Sequence, residues 1–187
     1  IIGAPNAGKS TLVNQLVGTK ITIVTHKVQT TRFPVRGVMM HGNSQVVLVD
    51  TPGIFTPRRR LDRAMVASAW GGASDADVVV HLIDAASHIA SEGKEGQAAD
   101  RRSAEDTETI IANLKASGTQ VILALNKIDG MRRDTLLALS HAMFETGVYS
   151  EIAKMAIGRW HDIKTDTLME AVEGINQRQD CSDFYMV

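Results

Sequence analysis

Apolar positions along the chain alternate between short unbroken runs and helix-spaced sets, and this alternation predicts a mostly parallel α/β sheet. The runs Val46-Val47-Leu48-Val49, Val78-Val79-Val80-His81-Leu82-Ile83 and Val121-Ile122-Leu123-Ala124-Leu125 read as strands. Their near-continuous apolar character suits strands covered on both faces. Ile1-Ile2 reads as a strand remnant, and after a glycine-rich stretch Leu12, Val13, Leu16 and Val17 share one helical face. Val35 to Val49 carries His41-Gly42-Asn43 between two extended runs, a hairpin pattern. Ser103, with Asp106 three residues on, predicts a helix start ahead of Ile110, Ile111 and Leu114. Leu136, Leu139 and Met143 mark a further helix, and Leu168, Val172 and Ile175 a last one. The stretch Ala85 to Arg102, rich in Ala, Glu, Gly and Asp, is expected to be a mobile surface loop.

Composition narrows the class. A chain of 187 residues, 22% charged and 44% hydrophobic, fits one ordinary globular domain. Its net charge of −1 argues against a strongly electrostatic nucleic-acid surface, which needs clustered Lys and Arg. Cys181 is the single cysteine, so an intrachain disulfide is excluded and a reducing, cytosolic setting is expected. No run of about 18 apolar residues and no signal peptide is present. The chain opens inside a strand without a methionine, and its natural start is expected upstream.

Candidate chemistry begins directly after Ile1-Ile2. Gly3-Ala4-Pro5-Asn6-Ala7-Gly8-Lys9-Ser10 fits the G-x-x-x-x-G-K-[ST] loop that wraps nucleotide phosphates. Glycines are needed because backbone N–H groups must turn inward on the phosphates, and a Cβ would obstruct them. Lys9 neutralises the β- and γ-phosphates, Ser10 can ligate Mg²⁺, and the following helix places its positive end at the anion. That loop leaves ATP and GTP equally open. Asp50-Thr51-Pro52-Gly53 ends an apolar strand about 40 residues after Ser10, where a carboxylate reaches a metal beside the phosphates and the Gly53 N–H a γ-phosphate. Asn126-Lys127-Ile128-Asp129 follows another strand and selects the base. A carboxylate at Asp129 can accept two hydrogen bonds from guanine, whereas adenine offers no matching donors. Asn126 braces neighbouring loops and Lys127 lays its stem along the base.

Together with Gln29-Thr30-Thr31-Arg32, these segments resemble the Era-like, translation-factor-related P-loop GTPases over about residues 1 to 150. The resemblance implies a three-layer P-loop GTPase fold, a mostly parallel sheet with one antiparallel strand and helices on both faces. It implies a G domain over residues 1–176, with 177–187 as a linker toward an RNA-binding KH domain absent from this chain. It implies GTP or GDP and Mg²⁺ as ligands, the metal held by Ser10, Thr31 and Asp50, with Thr31 in switch I. Nucleotide contacts fall on Gly3, Asn6, Ala7, Gly8, Lys9, Ser10, Thr11, Asp50, Gly53, Asn126, Lys127, Asp129 and Ala156. Lys9, Thr31 and Gly53 are the residues on which hydrolysis is expected to depend. The implied function is a GTP-hydrolysing switch in small ribosomal subunit assembly and rRNA binding, monomeric and cytoplasmic, with peripheral contact to the inner membrane. A guanine-nucleotide-binding interaction module with negligible hydrolysis is the alternative.

Several positions bear on mechanism. Ile54 stands where many GTPases carry a carboxamide that orients water, so backbone groups, an ion or a partner must do so. Asn6 either ligates an activating K⁺, as in related GTPases, or tolerates the loop's dihedrals. The family's Ser-Ala base loop is missing, and Met155-Ala156 is its nearest counterpart, followed by the foreign Arg159-Trp160-His161-Asp162. Arg58-Arg59-Arg60 and Arg63 read as a solvated face at a helix start rather than an RNA contact. The six histidines show no metal spacing, and His81 reads as a hydrogen-bonded core residue.

Overall fold

The computed structural model describes residues 1–25, 31–41, 44–93 and 96–154. Five strands and five helices are found among them, in the order α1 (Lys9–Val17), β1 (Val35–His41), β2 (Ser44–Asp50), α2 (Arg60–Ser74), β3 (Val80–Asp84), α3 (Ala85–Glu92), α4 (Ala98–Ser117), β4 (Val121–Asn126), α5 (Arg133–Phe144) and β5 (Tyr149–Lys154). Strands β3, β4 and β5 are parallel neighbours in that order, and β1 pairs antiparallel with β2 from Val35↔Asp50 to His41↔Ser44. Ile1-Ile2 joins the two sheets. The Ile2 N–H donates to Val80 O at 2.8 Å and Ile2 O accepts from Leu82 N–H at 2.9 Å, while the Ile1 amine donates to Val49 O. The expected α/β architecture is therefore present, as a parallel three-stranded sheet and an antiparallel pair among the described residues.

The unbroken apolar runs are explained by two cores. On β3 and β4 the side chains alternate: Val79, Ile83, Val121, Leu123 and Leu125 pack with Ala69, Ile110, Leu114, Leu139 and Met143 from α2, α4 and α5. Val80, Leu82, Ile122 and Ala124 face the other way, onto Leu12 and Leu16 of α1. A period-two backbone with helices on both sides needs apolar residues at every position. Gly37 lets β1 approach α1, since a Cβ there would lie 2.7 Å from the Val17 side chain. His81 is fully buried in β3, hydrogen-bonded through Nδ1 to the Tyr149 hydroxyl at 2.9 Å, as its apolar setting predicts.

The expected loop at Ala85 to Arg102 is corrected. Asp84 caps α3 by accepting the Ser87 N–H, and α4 begins at Ala98, where Asp100 accepts the Gln97 N–H at 3.0 Å. The helix start expected at Ser103 thus lies five residues into α4. Alanine-rich turns capped by carboxylates fold without a marked apolar stripe, which is why polarity alone misread them. Arg58, Arg59, Arg60 and Arg63 are exposed at the start of α2, in keeping with the solvated reading. The last expected helix (Leu168, Val172, Ile175), the linker at 177–187, Cys181 and the hairpin tip Gly42-Asn43 lie outside the described residues.

Candidate functional site

The phosphate loop runs from the end of the Ile1-Ile2 segment into α1. Gly3 has φ +152°, and a Cβ there would stand 2.3 Å from the Leu82 carbonyl oxygen, so glycine is required by both backbone and space. Asn6 adopts φ +60° and is exposed, which accommodates both readings of that residue. Gly8 precedes α1, and the first-turn amides of Lys9, Ser10 and Thr11 belong to the set a helix leaves without internal partners. Ala4 and Ala7, within the loop, are buried. The Lys9 ammonium, 6% exposed, donates to the carbonyls of Gly3 at 3.0 Å and Ala4 at 2.8 Å. Burial lowers its pKa from 10.5 to about 8, against the opposing pull of Asp50.

Beside Lys9, three hydroxyls converge on one carboxylate oxygen. Asp50 Oδ2 accepts from Ser10 Oγ at 2.6 Å, Thr22 Oγ1 at 2.8 Å and Thr31 Oγ1 at 3.1 Å, and Ser10 and Thr31 lie 3.0 Å apart. Asp50 Oδ1, also buried, has no hydrogen-bond partner among the described residues. A buried carboxylate oxygen left unpaired beside the Ser10 and Thr31 hydroxyls offers the oxygen ligands that a hard divalent cation takes. Ser10, Thr31 and Asp50, on which the resemblance places the metal, are thus hydrogen-bonded together. No group of three His, Cys, Asp or Glu side chains forms a metal cluster among the described residues.

The loops are tied to each other around this cluster. The Asn126 Nδ2 group donates to Ala7 O at 2.7 Å, which braces the phosphate loop as expected. Gly53 packs on Pro5: a Cβ would meet its ring and backbone at 2.9 to 3.0 Å, so the glycine serves a close approach between loops. Ile54 donates its N–H to Gly3 O, and its side chain is 2% exposed among core residues, turned from the site. Asp129 is exposed at the end of the β4 loop. Lys127 adopts φ +57° with its ammonium 2.5 Å from Asp84. Gln29, Thr30 and the Met155-Ala156 base loop lie outside the described residues.

Three residues escaped sequence reasoning. Asn14, on α1, accepts the N–H groups of Ile21 and Thr22 and donates to Thr22 O, all at 2.9 Å. That clamp places Thr22 on Asp50. Asp84 meets Lys127 from β3. None belongs to a spaced motif, and only the fold brings each to its partner.

The phosphate loop follows Ile1-Ile2, the Asp50 cluster lies at the end of β2 and Asn126 to Asp129 at the end of β4, and this arrangement places the chain among the P-loop nucleotide-binding proteins. A family model described as 50S ribosome-binding GTPase matches residues 1–127. The chain belongs to that family. It is 62% identical over 152 residues to a protein named GTPase Era from Caulobacter vibrioides, across 81% of this chain and 48% of the relative. The structure of Era in complex with MgGDPNP and nucleotides 1506–1542 of 16S ribosomal RNA superposes with a TM-score of 0.74 at 30% identity, over 100% of this chain and 57% of that one. A single-residue variant of Aquifex aeolicus Era bound to GDP.AlF4- gives a TM-score of 0.71 at 32% identity, over 94% and 54%. The chain spans about half the length of the curated relatives it matches.

Proposed function

We propose that this chain is the guanine-nucleotide-binding part of a GTP-hydrolysing switch that serves assembly of the small ribosomal subunit. The observation that carries the reading is the cluster of Ser10, Thr31 and Asp50 beside the buried Lys9, with Asp50 Oδ1 unpaired. Thr31 precedes β1 in a loop flanking the site, so a loop position depends on what occupies the cluster. Ser10, Thr31 and Asp50 would hold Mg²⁺, which neutralises phosphate charge when bound. Lys9 and the amides of Gly8 to Thr11 bind the phosphates. Gly53 presents its N–H to the γ-phosphate, and Asn126, Lys127, Asp129 and the backbone of Ala156 hold the base.

Ile54 is buried in the core, so its side chain cannot orient the attacking water. A K⁺ ion held by Asn6 supplies charge stabilisation in its place. The same burial favours a second reading, a binding module with negligible hydrolysis. The G domain spans residues 1–176 and residues 177–187 lead toward an RNA-binding domain. The partner is the small ribosomal subunit and its rRNA, contacted through that RNA-binding domain. The protein acts as a monomer in the cytoplasm, with peripheral contact to the inner membrane.

Labelled GDP and GTP titrations, followed by single-turnover GTP hydrolysis in K⁺ and in Na⁺, test the proposal. Binding of both nucleotides with faster turnover in K⁺ is expected. Binding without turnover in either salt leaves the interaction module, and a preference for ATP overturns the base assignment.

A further inference from the structure

Asp84 ends β3 opposite Asn126 and belongs to none of the nucleotide motifs. Its Oδ1 accepts the Ser87 N–H at 3.0 Å and its Oδ2 the Ser87 hydroxyl at 3.1 Å, which caps α3. The Lys127 ammonium also reaches Oδ2, at 2.5 Å. Asn or Ser caps a helix as well as Asp does, so the cap alone does not call for a charge here. The pair is asymmetric: the Asp84 side chain is 6% exposed and that of Lys127 44%. A fixed, buried carboxylate thus holds the outer end of a long, mobile side chain.

The backbone around Lys127 shows what the pair restrains. Lys127 and Asn6 are the two non-glycine residues with positive φ among the described residues, and a Cβ disfavours that region. On one side of Lys127, Asn126 is bonded to Ala7 of the phosphate loop. The ion pair fastens the next residue to the cap of α3. Two consecutive residues are therefore pinned to two different elements, and Asp129 follows two positions later.

We propose that Asp84 is a positioning residue for guanine recognition, holding Lys127 so that the base loop is ordered before a nucleotide arrives. The proposal rests on the guanine-nucleotide reading of Asn126 to Asp129. Without the pair, the loop must be ordered during binding, and that cost appears as faster release.

A fluorescent GDP analogue is released by stopped-flow dilution from the wild-type chain, Asp84→Asn, Lys127→Met and the double variant. Asp84→Asn retains a helix cap, so its melting temperature stays near wild type while release quickens about tenfold, the order expected for a lost charge-assisted hydrogen bond. The double variant releases no faster than Lys127→Met alone, because Asp84 acts through Lys127. A merely structural Asp84 would instead give additive losses. Unchanged release in Asp84→Asn, or additivity in the double variant, overturns the proposal. Should Asp84→Asn fail to fold, Asp84→Ser takes its place in the same cycle. A wild-type chain that does not hold the analogue overturns the guanine reading itself, and the role of Asp84 with it.

Discussion

Lys9 carries a positive charge into a place where burial opposes it, with two carbonyls and Asp50 as its compensation. Below about pH 8 the lysine is charged in both folded and unfolded chains, and the burial penalty stands in full. Between about 8 and 10.5 the folded chain loses the proton first, so the penalty fades and stability rises with pH through that window. A bound diphosphate restores the charged form. Calorimetry of GDP binding at about pH 8.5, in buffers of different ionisation enthalpy, should therefore show proton uptake that is nearly absent at about pH 7 and missing in Lys9→Met. Equal uptake in wild type and variant would contradict this origin. Asp129 makes a separate prediction from its acceptor chemistry: Asp129→Asn should move preference from guanine toward xanthine nucleotides by tenfold or more, about 1.4 kcal/mol. Competition of XDP against GDP measures it, and unchanged GDP affinity removes Asp129 from the site. Lys9, Asp50 and Asn126 were legible because their motifs fix residue type and spacing together. Thr22, Asn14 and Asp84 were not, because a single hydroxyl, amide or carboxylate has no spacing of its own.

Elements differ in how openly the sequence declares them. The strands β3 and β4 announce themselves because both faces are covered, and an apolar residue is needed at every position. α1 and α5 are equally plain from their helical spacing. α3 and the first turns of α4 are not, since alanine is apolar enough to pack and small enough to leave no stripe. The phosphate loop is the element with least tolerance for change. Gly3→Ala places a Cβ 2.3 Å from the Leu82 carbonyl at φ +152°, and neither backbone can retreat without breaking the Ile2 to Leu82 hydrogen bond. Destabilisation of at least about 2 kcal/mol is expected from strain of this kind, together with loss of nucleotide binding. Urea denaturation of the variant checks it, and wild-type stability would show that the loop has other room.

At the scale of the whole molecule, the sheet buries His81 completely against Tyr149, and burial, with a smaller push from Lys9, lowers its pKa from 6.5 to about 3. The folded chain keeps His81 neutral while the unfolded chain takes up a proton below 6.5, so stability is lost as pH falls from 6.5 toward 3. Denaturation at about pH 7 and about pH 4.5 should show a drop that is smaller in His81→Gln; identical drops would assign acid sensitivity to other groups. The sequence by itself determined the fold class and the phosphate-loop motif, because periodicity and motif spacing are local properties that survive without coordinates. Only tertiary structure decided that Thr22 joins Ser10 and Thr31 on Asp50, that Gly53 is needed against Pro5, and that Asp84 holds Lys127. Those pairings join residues from 28 to 48 positions apart in the chain, brought together only when loops and strands pack on one another, and no local pattern records such a meeting.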